Sequence, residues 1–282
     1  LGYLGRAVTA LGACVVASGE PMHVGAGLYG PQGLEADAEI QSLLLASLRF
    51  CQLPGLRLDV SHAQIVRALL ARAPHLIDNQ EAVYVALQAK DTAALKELTH
   101  GCDDEICTAL LALVDLYGGV EVLDRARATL PKYPEITTAL DELQALSVLD
   151  SSESVQFDLA DLTGYDYHTG VMFTAYCTGM PNAIARGGRY DHIGQRFGRA
   201  RPATGFSLDL REITELLPCA PAGKAISAPW TMDVAFRAAV AELRAAGEVV
   251  IQVSGHQAHE EDAFICDRDL VLDAGQWVVR AR

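Results

Sequence analysis

The sequence predicts an α/β (α+β) fold: an antiparallel sheet flanked by helices, a helical insertion within it, and a small α/β tail. Three observations carry this. Alternating or β-branched runs occur before residue 74 and again after 150, whereas the stretch between has only helical periodicity. Between 155 and 209 the strand-like runs follow too closely for helical crossovers, so neighbours there are expected to pair antiparallel. After Pro218 a strand–helix–strand pattern starts afresh and ends in a hairpin. The expected organisation is a core of 1–73 and 150–217, an insertion of 74–149, and a tail of 218–282.

Two strands are expected near 3–9 and 22–29, around a glycine-containing loop at 12–19. Pro31 and Gly33 then break the chain. Apolar Ile40, Leu43, Leu44, Leu45 and Leu48 give 37–50 one buried helical face. After Pro54-Gly55, Leu56-Arg57-Leu58-Asp59-Val60 alternates as a strand does. Ser61 suits the N-cap of a helix bearing Ile65, Val66, Leu69 and Leu70. Helices are expected at 80–89, 91–99, 104–117, 119–130 and 134–149. Asp103 or Asp104 would cap one start, and Gly118-Gly119 one end. Strands resume at 155–160, 170–177, 182–187 and 202–209. Past a linker at 218–223, the tail offers a strand at 224–228 and a helix at 232–246 closed by Gly247. A strand at 248–253 and a hairpin of 264–272 with 276–279, around Asp273-Ala274-Gly275, complete it.

Composition narrows the function classes. The 282 residues allow one large or two modest domains. Lys and Arg number 22 against 36 Asp and Glu, a net charge of −14. Phosphate backbones attract basic surfaces, so this balance speaks against nucleic acid as a partner. The seven cysteines, at 14, 51, 102, 107, 177, 219 and 266, form no C-x-x-C pair. Free thiols in a reducing cytoplasm are expected. No signal peptide is visible, and the uncharged run 7–19 is too short and glycine-rich to span a bilayer. There is no Walker loop, G-x-G-x-x-G, G-x-S-x-G or H-E-x-x-H, and no cofactor is expected.

The densest chemistry lies in 157–213. At Gly187-Gly188-Arg189-Tyr190-Asp191, paired glycines let a backbone approach a ligand, and Arg189 could add a charge-assisted bond. A hairpin turn with a surface salt bridge is the plainer alternative. In Tyr165 to His168, tyrosine hydroxyls that both donate and accept suit a polar ring. A half-buried strand with cross-strand aromatic pairs would look the same. His256, His259 and the acids to Asp262 could hold a metal on a helix, but a solvated loop accounts for them more simply. Cys102 to Cys107 lacks zinc-ligand spacing.

Together these runs resemble the catalytic core of histidyl-tRNA synthetase. The carriers are Gly164, Asp166, Tyr167 and Phe173, then Gly187 to Asp191, then Arg199, Pro202, Ala203, Gly205 and Phe206. Tyr3-Leu4-Gly5, Val24 to Gly30 and Asp37-Ala38-Glu39-Ile40 extend the likeness, which covers about 1–70 and 150–213. It implies a class II aminoacyl-tRNA synthetase-like sheet. The departures fall on the synthetase's ATP-handling positions. Its Phe-Arg-x-Glu is matched by Val8-Thr9-Ala10-Leu11, its α-phosphate arginine by Thr163, and its nucleotide arginine by Glu212, with Asp209 adding a second acid. A transition state at a phosphate needs such cations. The synthetase's Gln-x-Gly-x-Glu is matched by His23 to Gly27, and the second tyrosine of its Tyr-Tyr by His168.

Tyr-His-Thr-Gly-Val (167–171), Ile-Ala-Arg-Gly-Gly-Arg-Tyr-Asp (184–191) and Gly-Arg-Ala-Arg-Pro-Ala-Thr-Gly-Phe-Ser (198–207) resemble the synthetase's paralogues more closely. Those are the regulatory subunits of ATP phosphoribosyltransferase. The resemblance implies a non-catalytic partner of a short-form catalytic subunit. It would be a homodimer within a hetero-oligomer, required for activity and for histidine feedback on the first step of histidine biosynthesis, without nucleic acid or membrane. The resemblance places a histidine-like pocket at Tyr167, His168, Gly187, Gly188, Arg189 and Tyr190, with no catalytic or metal residues. Arg199 and Arg201 would close the pocket, bind the partner or remain surface charges. The rival expectation is a divergent or truncated histidyl-tRNA synthetase core.

Overall fold

An eight-stranded sheet forms the frame of the first unit. Its strands are β1 (Gly2–Arg6), β2 (Met22–Tyr29), β3 (Arg57–His62), β4 (Tyr117–Gly118), β5 (Val155–Asp158), β6 (Val171–Tyr176), β7 (Ala185–Arg189) and β8 (Ala203–Asp209). They lie in the order β1-β2-β8-β7-β6-β3-β5-β4. The computed structural model describes residues 1–6, 21–148, 155–165, 167–192, 194, 198, 200–217, 223–253 and 264–282. These fall into two compact units, Leu1–Leu217 and Pro218–Arg282. The expected loop at 12–19, the 218–222 part of the linker and the His256–Asp262 run lie outside the described residues.

Pairing is antiparallel from β1 through β3, and among β6, β7 and β8 the short spacings require it. The exception is β5, which runs parallel to β3, with Val60 opposite Phe157. The antiparallel neighbours expected between 155 and 209 hold for β6, β7 and β8, but β5 does not adjoin β6. Instead β3 lies between them, and the helices between β3 and β5 supply the long crossover a parallel pair needs. One sheet face is packed by α1 (Leu34–Phe50), which buries Ile40, Leu44, Leu45 and Leu48. This apolar face is the one its spacing predicts, except that Leu43, one helical step of about 100° from Leu44, is exposed.

Next come α2 (Ala63–Leu70), a 3-10 turn at Pro74–Asn79, and five helices: α3 (Gln80–Gln88), α4 (Thr92–Leu98), α5 (Asp104–Leu113), α6 (Glu121–Thr129) and α7 (Pro134–Ser147). The N-cap of α2 is His62, not Ser61, because β3 extends two residues further than its alternation showed. His62 Nδ1 accepts from the Gln64 N–H at 3.2 Å, so its Nε2–H faces Glu142 of α7 at 2.8 Å. Asp103 caps α5, accepting from the Glu105 N–H. Gly118 is not the expected cap: α5 stops at Leu113, and Gly118, at φ +135°, pairs with Phe157 in β4. A two-residue strand is too short to show a period.

In the second unit, β9 (Gly223–Pro229) lies between β10 (Val250–Val253) and β11 (Phe264–Asp273), parallel to both, and β12 (Gln276–Ala281) closes an antiparallel hairpin. One face is covered by α9 (Val234–Ala245), started by Asp233 and ended at Gly247 (φ +88°). Ile226, Ala228, Phe236, Val240, Val250 and Leu270 make its separate core. Among the described residues no helix is long and apolar enough to cross a membrane. The five described cysteines are free thiols.

Candidate functional site

Strand periodicity decides what the large sheet shows on the face away from α1. Residues opposite one another in adjacent strands share a face, and so do residues two apart. Gly27 of β2 lies opposite Gly205 of β8, which lies opposite Gly188 of β7. Two residues along, Gly25, Ser207 and Arg186 form the next row on that face. Two residues the other way stand Tyr29, Ala203 and Tyr190. The glycine row thus leaves a floor of bare backbone between tyrosines at one end and Arg186 at the other. A cavity of about 220 Å³ lies over it, walled by Tyr3, Tyr29, Tyr167 and Tyr190.

The glycines are required. A Cβ on Gly205 would stand 2.7 Å from both the Ala26 carbonyl oxygen and the Tyr190 hydroxyl. Gly188 holds φ +152°, and a Cβ there would lie 2.4 Å from the Val171 carbonyl oxygen.

The loop before β6 supplies the remaining wall. Arg67 of α2 stacks over the Tyr165 ring at 4.7 Å. Its Nη2 donates to the carbonyls of Tyr165 (2.9 Å) and His168 (2.8 Å), while Gln64 donates to that of Thr169. His168 is buried and donates from Nδ1 to the Gly164 carbonyl at 2.9 Å, which leaves Nε2 as an acceptor. Burial pulls its pKa below the usual imidazole value, more than the Gly164 bond raises it, and the Arg67 charge adds to the fall. The imidazole is therefore neutral. Tyr167 is half exposed, its ring 5.0 Å from that of Tyr190 and edge-on to His168 at 5.3 Å. Burial pushes both phenols up; for Tyr190 a hydrogen bond with Tyr29 adds to this. Both hydroxyls thus remain donors as well as acceptors.

Of the six pocket residues expected from sequence, Tyr167, His168, Gly187 and Tyr190 line this cavity, and Gly188 lies in its floor row. Arg189 does not. It sits one residue from Tyr190 and so projects to the opposite face. There its Nε donates to Asp37 (2.9 Å), Nη1 to Asp191 (3.2 Å) and Nη2 to the Gly33 carbonyl (3.0 Å). Burial opposes its charge, but Asp37 and Asp191 outweigh burial and hold it protonated. Arg189 is a buried clamp, neither a ligand group nor a surface salt bridge. Tyr165 is also withdrawn, its ring 4.2 Å from that of Tyr84. Arg201 is exposed, while Asp166 and Arg199 lie outside the described residues. Sequence reading missed Arg186, Ser207, Tyr3 and Tyr29. Counting by twos back from Tyr190 would have found Arg186.

Thr163 and Glu212, which the resemblance sets where a synthetase would have nucleotide-handling arginines, carry other chemistry. Thr163 donates its N–H and hydroxyl to Asp161 and accepts from Gln88. Glu212 stands in α8 (Leu210–Leu216), whose N-cap Asp209 accepts from the Arg211 N–H. Burial, then the Asp209 charge, raises the Glu212 pKa against the pull of Arg186 and Asn182. Val8 to Leu11 lie outside the described residues. No group of three or more His, Cys, Asp or Glu side chains is placed to hold a metal among the described residues.

Residues 1–213 match the family model of histidyl-tRNA synthetase. Residues 223–280 match that of the ATP phosphoribosyltransferase subunit HisZ C-terminal domain. The ATP phosphoribosyltransferase regulatory subunit of Cupriavidus metallidurans is 54% identical over 280 residues, 99% of this chain and 73% of that protein. The chain belongs to the ATP phosphoribosyltransferase regulatory subunit family. Solved structures share its fold. An ATP phosphoribosyltransferase regulatory subunit/histidyl-tRNA synthetase from Bacillus halodurans has a TM-score of 0.75 at 24% identity, over 93% of this chain and 70% of that one. The ATP phosphoribosyl transferase (HisG:HisZ) complex from Thermotoga maritima has a chain with a TM-score of 0.59 at 19% identity, over 74% of this chain and 72% of that one. The fold is thus a synthetase-like sheet.

Proposed function

We propose that this chain is the non-catalytic regulatory subunit of an ATP phosphoribosyltransferase. It assembles as a homodimer with a short-form catalytic subunit, makes that subunit active, and renders the first step of histidine biosynthesis sensitive to histidine. The observation that carries this reading is a synthetase-like sheet with an amino-acid-sized pocket but an acid, Glu212, where a nucleotide would need a cation. Two carboxylates near a triphosphate repel it. A ligand shifts an equilibrium only through unequal affinity for two states, and a pocket walled by Tyr167, His168 and Tyr190 is where such a difference would arise. Gly187 and Gly188 belong to that pocket; Arg189 supports it from behind.

The test is reconstitution. Added to the purified short-form catalytic subunit, the full chain should co-elute with it, raise phosphoribosyl transfer from ATP and make transfer inhibitable by histidine. No co-elution together with an unchanged rate would sink the reading. The rival, a divergent histidyl-tRNA synthetase, requires histidine-dependent exchange of pyrophosphate into ATP, and none is expected.

A further inference from the structure

The tyrosine end of the pocket can address a ring, but the opposite end has a different chemistry. Arg186 and Ser207 face each other across β7 and β8 on the pocket side. Directly opposed residues hold their Cβ atoms about 5 Å apart, close enough for one small anion to touch both. Ser207 Oγ is buried and, among the described residues, has no hydrogen-bond partner. An unsatisfied buried hydroxyl is costly, so it marks a place for an acceptor or donor brought by something else. Arg186 is exposed and lines the same cavity. The glycine floor separates this pair from Tyr190, four residues along β7, or ~13 Å at ~3.4 Å per residue. Tyr190 reaches back over that floor, its hydroxyl beside Gly27 and Gly205, and Arg186 lines the same cavity.

We propose that Arg186 and Ser207 form the anion-binding end of the pocket, which takes the carboxylate of a small ring-bearing amino acid whose ring lies among Tyr29, Tyr167 and Tyr190. Guanidinium and hydroxyl together suit either a carboxylate or a phosphate. The choice is made by Glu212 and Asp209. The Glu212 charge is felt by Arg186, so a doubly charged phosphate would be repelled more strongly than a single carboxylate. The proposal deepens the histidine-pocket reading and rests on it only for the ring.

The experiment uses the full chain, L-histidine, histamine (the same ring and amine without the carboxylate), and acetate. By calorimetry, L-histidine should bind the wild type at least about tenfold more tightly than histamine, the loss of one charge-assisted contact. Arg186→Met should weaken L-histidine about tenfold and leave histamine unchanged, and Ser207→Ala should act in the same direction. Separately, acetate in the millimolar range should shift the Arg186 side-chain N–H signal in the NMR spectrum, and phosphate should do so less. If Arg186→Met binds L-histidine as the wild type does, or weakens histamine equally, the assignment is overturned. An Arg186 signal indifferent to acetate overturns it too. If acetate shifts that signal while neither L-histidine nor histamine binds, the anion site stands and the histidine reading falls.

Discussion

Two residues three apart in sequence, Arg186 and Arg189, do opposite work because a strand turns over at every residue. Arg186 meets the pocket; Arg189 is spent on Asp37, Asp191 and backbone carbonyls. Removing one partner of a buried, hydrogen-bonded ion pair leaves an uncompensated charge and costs about 3–5 kcal/mol. Arg189→Met is expected to lose that much, read from its urea midpoint at unchanged slope. His168 gives a pH signature. Its folded pKa lies below 6.5, so the unfolded chain takes up the proton first. Stability is whole above about 6.5. It falls as pH drops below that value, and levels off only below the depressed folded value. His168→Asn should flatten this part of the urea midpoint's dependence on pH; an unaltered slope would show that His168 is not its source. Gly187 and Gly188 were legible in sequence because glycine is depleted in strands, and Tyr167 and Tyr190 because they stand in the same dense motifs. Tyr3 and Tyr29 were not, since tyrosine is common in strands. Arg186 was not, since its meaning comes only from the face it occupies.

At the scale of elements, the glycine row of β2, β8 and β7 holds the site open. Gly205→Ala would push a methyl against the Ala26 carbonyl oxygen, which is backbone and cannot swing aside. A loss of about 1–3 kcal/mol is expected from such overpacking, with L-histidine binding lost as well; a variant as stable and as competent as the wild type would contradict the packing described. Helix α1 and the helices of 80–147 were legible because the 3.6-residue period persists over several turns. The parallel pairing of β5 with β3 was not legible, because neither strand's own pattern records its neighbour. The same limit hid β4, where Gly118 pairs rather than caps.

At the scale of the molecule, each unit has its own apolar core, and the second rests on only a few large side chains. Phe236 is fully buried and meets Trp277 with ring centroids 4.8 Å apart. Phe236→Ala is expected to cost about 3–5 kcal/mol, enough to unfold so small a core. Hydrogen exchange read by mass spectrometry should then show 223–253 and 264–282 losing protection while 36–70 and 171–189 keep theirs. Loss of protection across both would contradict the separation of the cores.

The pairing of Val60 with Phe157 also has a bearing on how the chain folds. Those residues cannot meet until everything between them has been gathered, and closing a long span costs entropy before any contact repays it. Helices α3 to α7 are local structures and can form on their own timescale. The last strands of the large sheet must wait for them. In pulse-labelled exchange, the amides of 80–147 should become protected before those of β5.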